Sequence, residues 1–225
     1  MVLGIPFKTP MKSCTHLFLL IGFVTTTSAD IVINEIHYDP EPKTEHAEFI
    51  ELYNTGAETV NLSGWYFSNG FSYTFPEGAE LAAESYLILA QNLSVYQSKF
   101  GSIFVGGLRA FGEFESGTLA NAGERIVLRD ADGAIADEVD YQASFPWPVA
   151  PQGEPVQENG DGVSMELLHP DLENNLAGSW RAGTKPSPGK QNSIYAELGS
   201  VPPQIRQVNH SPNAPTSGDV VTISV

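Results

Sequence analysis

The stretch "EFIELYN", residues 48–54, sets two carboxylates, Glu48 and Glu51, inside an otherwise apolar run, and "INEIHY" just upstream adds Glu35 and His37. Carboxylates and an imidazole can together hold a divalent ion, and paired carboxylic acids are the machinery of glycoside hydrolysis. Spacing separates these chemistries from a structural role. Along an extended strand side chains alternate between faces, so Glu48 and Glu51 point to opposite sides unless a bulge intervenes. Glu35 and His37 do share a face, but two ligands leave a metal site incomplete. The structural expectation is that Glu51, between Phe49 and Tyr53, turns its carboxylate to loop amides or to an arginine at the sheet edge. Glu48 is then expected to begin the strand in solvent.

A second acidic group, Asp130, Asp132, Asp137 and Glu138 in "RDADGAIADE", has the composition of a calcium loop. An EF-hand places glycine at its sixth position and glutamate at its twelfth, whereas Gly133 is fourth when counted from Asp130. The stretch therefore reads as a hairpin turn, with calcium at Asp130, Asp132 and Asp137 as the alternative. No nucleophile motif accompanies His37, His46, His169 or His210, and no phosphate-binding glycine loop or H-E-x-x-H helix occurs. Neither a catalytic residue nor a cofactor is expected from these residues.

The elements that carry these side chains are short. From Ile31 onward, runs rich in Ile, Val, Tyr, Phe and Thr are separated by Gly, Asn, Asp and Pro, which is an all-β signature. Strands are expected in "DIVINEIHYD", "AEFIELYNTG", "TVNLSGWYFSNG", "FSYTFP", "ESYLILAQN", "RIVLRDADG", "IADEVDYQ" and "SMELLHP", and a single short helix over Val95–Phe100. Asp132-Gly133 is expected to close a hairpin. In "LSGW", Gly64 turns the chain, and Leu62, Trp65 and Phe67 pack inside. Asn54 and Asn61 bond local backbone at a Gly-containing turn, and Asn121 and Gly123 turn the chain into the following strand. Two long loops remain: residues 146–162, with four prolines and Trp147, and residues 100–117, with Phe111 and Phe114. Trp147 is expected to pack on the core; Phe111 and Phe114 either face a partner or belong to a buried β-excursion.

Composition bounds the rest. The chain has 225 residues, 41% of them hydrophobic, enough for an ordinary core. Lys8 and Lys12 precede the apolar run Leu17–Val24, and the small residues "TTTSA" follow it, which is the layout of a secretory signal peptide over residues 1–29 with cleavage after Ala29. Met1 and Met11 serve equally as its start. The run is too short to span a bilayer. Cys14 lies before it, so the mature chain has no disulfide. Removing the leader leaves 9 basic against 27 acidic residues, a net charge of −18. That balance argues against nucleic acid as a direct partner; it favours solubility outside the cell, with cation capture as the sharper alternative. The Asn-x-Ser matches at Asn61, Asn92 and Asn209 are read as chance.

Taken in order, "IVINEIHYDP", "EFIELYNTGAETVNLSGWYFSNG", "YTFPEGAELAAESYLILAQN", "TLANAGERIVLRDADGAIADEVDY", "DGVSMELLHP" and "GTKPSPGKQNS" resemble a lamin-tail domain over residues 30–195. The resemblance implies an immunoglobulin-like β-sandwich of the type found in nuclear lamins and in exported bacterial proteins. The signal peptide and the lack of a heptad rod point to the exported branch. Residues 196–203 read as a linker, and residues 204–225 as the start of a second β-sandwich, with strands in "IRQV" and "VVTISV". That stub is similar to the module that precedes spore-coat-H-like kinase domains. The resemblance implies a non-catalytic interaction or spacer module of an exported multidomain protein, with a protein or glycan partner at the cell surface. Within it Glu35, Glu51, Asn54, Gly64, Trp65 and Gly123 are structural. The alternatives are an accessory region of an exported kinase or nuclease whose chemistry lies beyond Val225, and a calcium-dependent adhesive domain.

Overall fold

The computed structural model describes residues 31–101, 112–148, 162–183, 185–201, 209–211 and 216–224, with the backbone of 104–105 and 108–109. The leader with Ala29, Phe111, residues 149–161 with Pro151 and Pro155, and "IRQV" lie outside these residues.

The β-branched and aromatic runs become β1 (Ile31–His37), β2 (Phe49–Asn54), β3 (Val60–Asn61), β4 (Tyr66–Phe67), β5 (Phe71–Thr74), β6 (Glu80–Leu81) and β7 (Tyr86–Ala90). Helix α1 (Leu93–Phe100) follows, then β8 (Phe104–Val105), β9 (Leu108–Arg109) and β10 (Ser116–Gly117). The chain continues as β11 (Gly123–Arg129), β12 (Ile135–Gln142), β13 (Met165–Leu167) and β14 (Trp180–Ala182). One sheet has the order β14-β13-β1-β2-β7 and the other β10-β5-β4-β11-β12, all pairings antiparallel. Alternation sends Ile31, Ile33, Ile36, Leu52 and Leu89 of the first sheet into one core with Phe67, Phe71, Ile126, Leu128 and Val139 of the second. The result is the expected all-β, immunoglobulin-like sandwich. The first sheet also buries a patch on its other face, where α1 lays Tyr96 and Phe100 against Phe49, Ile88 and Ala90.

Each of the eight expected strand regions contains a strand, with several boundaries moved by local hydrogen bonds. "TVNLSGWYFSNG" splits into β3 and β4, because Gly64, at φ 75°, and the Trp65 N–H to Leu62 carbonyl bond turn the chain between them. Leu62, Trp65 and Phe67 are buried as expected. The helix begins two residues early: Asn92 caps it by accepting from the Val95 N–H at 3.0 Å, and Glu113 accepts from the Leu93 N–H. The hairpin turn is wider than Asp132-Gly133. It runs from Asp130 to Ala134, closed by the Gly133 N–H to Asp130 carbonyl bond, with Gly133 left-handed at φ 85°. In the C-terminal stub, β15 (Asn209–Ser211) pairs with β16 (Thr222–Ser224), so the first of these strands falls in a stretch read as turn.

The aromatic loop residues resolve inward. Trp147 is 8% exposed and belongs to the core, and Phe114 stacks on Phe71 at 4.0 Å between ring centroids. Asn54 is fully buried and ties two turns to β2, donating to the Glu58, Leu81 and Ala82 carbonyls while accepting from Gly56 N–H. Gly123 sits at φ 102°, where a Cβ would lie 2.6 Å from the Tyr141 carbonyl oxygen. Gly123→Ala is therefore expected to cost roughly 1–3 kcal/mol, from left-handed strain plus the clash. Urea unfolding of variant and wild type measures it.

Candidate functional site

Pairing register decides where the acidic side chains go. Glu35 stands opposite Glu51 across β1 and β2, and opposite Glu166 across β1 and β13. A bulge between Ile33 and Glu35 shifts β1 by one residue and adds Asn34 beside the row. Each acid is flanked by residues that enter the core, Ile36 beside Glu35, Ile50 and Leu52 around Glu51, Met165 and Leu167 around Glu166. The three glutamates therefore line up on the face away from the core. All three are 0% exposed.

What covers them is the segment 185–195, which crosses this face without secondary structure of its own. Its amides need acceptors, and the carboxylates supply them. Glu35 Oε1 accepts from the Ser187 N–H at 2.9 Å and from Ser164 Oγ at 2.5 Å. Glu51 accepts from the Gly189 N–H at 2.5 Å and from Asn34 Nδ2 at 2.8 Å. Glu166 accepts from Ser193 Oγ at 2.8 Å and the Ile194 N–H at 3.3 Å. Asn192 completes the strap, donating to the Asn34 and Leu167 carbonyls. Gly183 makes room: a Cβ there would meet Glu166 Oε1 at 2.1 Å. Of the two fates expected for Glu51, loop amides and not arginine are realised.

These partners are neutral, so burial dominates the protonation of the row. Burial, reinforced by the charge of Glu166, raises Glu35 to about 8. Burial and Glu35 hold Glu51 well above the ordinary carboxylate range, and burial raises Glu166.

Other expected positions separate. Glu48 corrects the solvent expectation: it is 8% exposed and accepts from the Leu119 N–H at 2.7 Å. The stretch around Glu113, bridged to Ala90, brings the chain back over the start of β2. Burial raises Glu48 to about 7, with Glu124 and Asp39 adding repulsion. His37 stacks on Phe49 at 5.1 Å and its Nδ1 bonds the Ala47 carbonyl. Asp130 accepts from the Asp132 and Ala134 amides in the turn. Asp137 is engaged elsewhere: its Oδ2 accepts from the Ile33 N–H and Asn174 Nδ2, both at 2.6 Å, joining the sheets. Burial raises Asp137 to about 6. Among the described residues no three His, Cys, Asp or Glu side chains are grouped to hold a metal, and no helix is long and apolar enough to cross a membrane.

Beside the row the strap forms one wall of an open cleft of about 230 Å³. Tyr53 and Tyr86, paired across β2 and β7, present rings 4.6 Å apart. Tyr195 packs against His169 at 5.3 Å, and Gln191 and Asn192 of the strap also line the cleft. Sequence reading missed Glu166 and these tyrosines. Glu166 carried a visible signal, since "MEL" repeats the pattern of "IEL" and "NEI", an acid beside apolar residues in a strand.

The sequence model of the Lamin Tail Domain family matches residues 25–143, just over half of the chain. Solved structures that the chain resembles include a DUF4876 family protein from Bacteroides thetaiotaomicron, at 14% identity and a TM-score of 0.36, over 52% of this chain and 55% of that one. The match thus spans about half the length of that protein. No curated protein matches the chain.

The raised carboxyls make stability pH-dependent. Their folded pKa values exceed the unfolded values near 4, so their stabilisation is complete below about pH 4 and is lost as pH rises through about 6, 7 and 8 for Asp137, Glu48 and Glu35. The melting temperature is expected to fall between about pH 5 and pH 9. Glu35→Gln should flatten that fall, because a neutral amide keeps an oxygen to accept from the Ser187 N–H and the Ser164 hydroxyl and does not ionise as pH rises. Thermal melts across the range check both.

Proposed function

The chain belongs to the lamin tail domain family, and from that premise we propose that it is a non-catalytic interaction or spacer module of an exported multidomain protein. One observation carries the reading. The acids best suited to chemistry, Glu35, Glu51 and Glu166, are wholly buried and their oxygens are taken by the strap, so a substrate has no route to them. What the sandwich offers a partner is a rigid frame that holds surface loops in place. Its acidic balance, 9 basic against 27 acidic residues once the leader is removed, keeps it soluble and repels nucleic acid. The partner is a protein or a glycan at the cell surface.

The β15–β16 pair favours a second reading in part, since it begins a new pattern after the linker-like residues 196–203. In that reading the module is an accessory to a downstream kinase or nuclease. Deleting residues 31–195 from the full-length exported protein separates the two. A spacer or binding module is lost without changing any downstream catalytic rate, whereas an accessory region lowers that rate.

Export itself predicts a mature N-terminus at Asp30, read by N-terminal sequencing of protein from the medium or envelope; a chain retained with its leader counts against it. Calcium-dependent adhesion predicts a lower melting temperature in EDTA. With Asp137 committed to Ile33 and Asn174, the expected outcome is no change between EDTA and millimolar calcium.

A further inference from the structure

We propose that the cleft between the Tyr53–Tyr86 pair and the His169–Tyr195 pair binds a neutral saccharide, one ring at a time. The inference rests on the binding-module reading and names its ligand class.

Among the described residues the lining contains no Asp, Glu, Lys or Arg. A phosphate or carboxylate ligand would enter without a counter-charge, which such sites normally supply, and against the carboxylates of Asp171, Glu84 and Glu197 that stand beside His169, Tyr53 and Tyr195. A purely apolar ligand fits no better, because Gln191 and His169 would lose their water without replacement. A sugar ring has both requirements: an apolar C–H face for an aromatic platform, and hydroxyls that donate and accept in the ring plane. The platform is set by the sheet, since cross-strand pairing holds Tyr53 against Tyr86. Polar groups come from the other wall. The Asp171 N–H donates to His169 Nδ1 at 3.1 Å, which leaves Nε2 to carry the ring proton toward a ligand. Gln191 is exposed and offers an amide.

The floor, by contrast, is spent. Asn34 Nδ2 donates to Glu51 and to Asn192 Oδ1, and Asn192 Nδ2 donates to backbone carbonyls, so these amides hold shape and leave recognition to the rim. The volume, about 230 Å³, lies below the roughly 300–1,000 Å³ of drug-sized pockets, and suits a single ring of a longer chain.

The test titrates the whole chain with cellobiose, maltose and N,N′-diacetylchitobiose, with choline and arginine as charged probes, while following the tyrosine ring signals by NMR. At least one disaccharide is expected to shift Tyr53, Tyr86 and Tyr195 at millimolar concentration. Gln191→Ala, at an exposed position, and Tyr195→Ala should each weaken that binding by about tenfold, with Gln191→Ala leaving the melting temperature unchanged. No shift from any of the three sugars at about 50 mM, a Kd far too weak for recognition, overturns the proposal. So does a shift from choline or arginine alone, or wild-type affinity in Gln191→Ala. Such a failure removes the saccharide only; the binding-module reading stands or falls on the deletion of residues 31–195.

Discussion

Three buried carboxylates with no cationic partner among the described residues would ordinarily undermine a fold, since an isolated charge in an apolar interior costs many kcal/mol. Here Glu35, Glu51 and Glu166 are what the irregular segment 185–195 docks on. A segment without secondary structure brings unpaired N–H groups wherever it is buried, and every one left without an acceptor is costly. The amides of Ser187, Gly189 and Ile194 each find a glutamate oxygen instead. The cost is moderated by protonation: with burial raising all three acids, the row need not carry three charges at neutral pH. Repulsion along the row and desolvation thus act together to keep protons in place.

The same exchange, a carboxylate for a stranded amide, recurs at two other joints. β13 pairs with β1 only at Glu35 and Ile36, so the Ile33 N–H beside the bulge lacks a strand partner, and Asp137 reaches across from β12 to accept it. Glu48 does likewise for Leu119 where the returning chain closes over β2. In each case an acidic residue that looks available for chemistry is consumed by the architecture. The strap's position then builds the cleft, because Asn192 and Tyr195 reach the Tyr53–Tyr86 platform only when residues 185–195 lie on the sheet.

Much of the sandwich was legible in the sequence. Alternation of apolar and polar residues in "INEIHY" and "FIELY" is a local property, and it correctly separated Glu48 from Glu51 and placed Glu35 and His37 on one face. The turn residues Asn54, Gly64 and Gly123 were legible for the same reason, since left-handed geometry and side-chain bonds to nearby backbone depend on immediate neighbours. β14 was not legible. Its three residues follow a short helical turn, and only the pairing of Met165, Glu166 and Leu167 with Ala182, Arg181 and Trp180 makes them a strand.

By itself the sequence determined the class of fold and the turns at Asn54, Gly64 and Gly123, because each follows from residues close together along the chain. Tertiary structure decided which acids meet. Glu35 and Glu166 are 131 positions apart in the sequence, and only the β1–β13 register brings them side by side. Tertiary structure also decided that Glu48 is buried and that Asp137 belongs to β1 and not to the Asp130 turn. These outcomes depend on register and on which segment covers which face, and a side chain's local pattern carries no information about a partner that arrives 71 or more residues later.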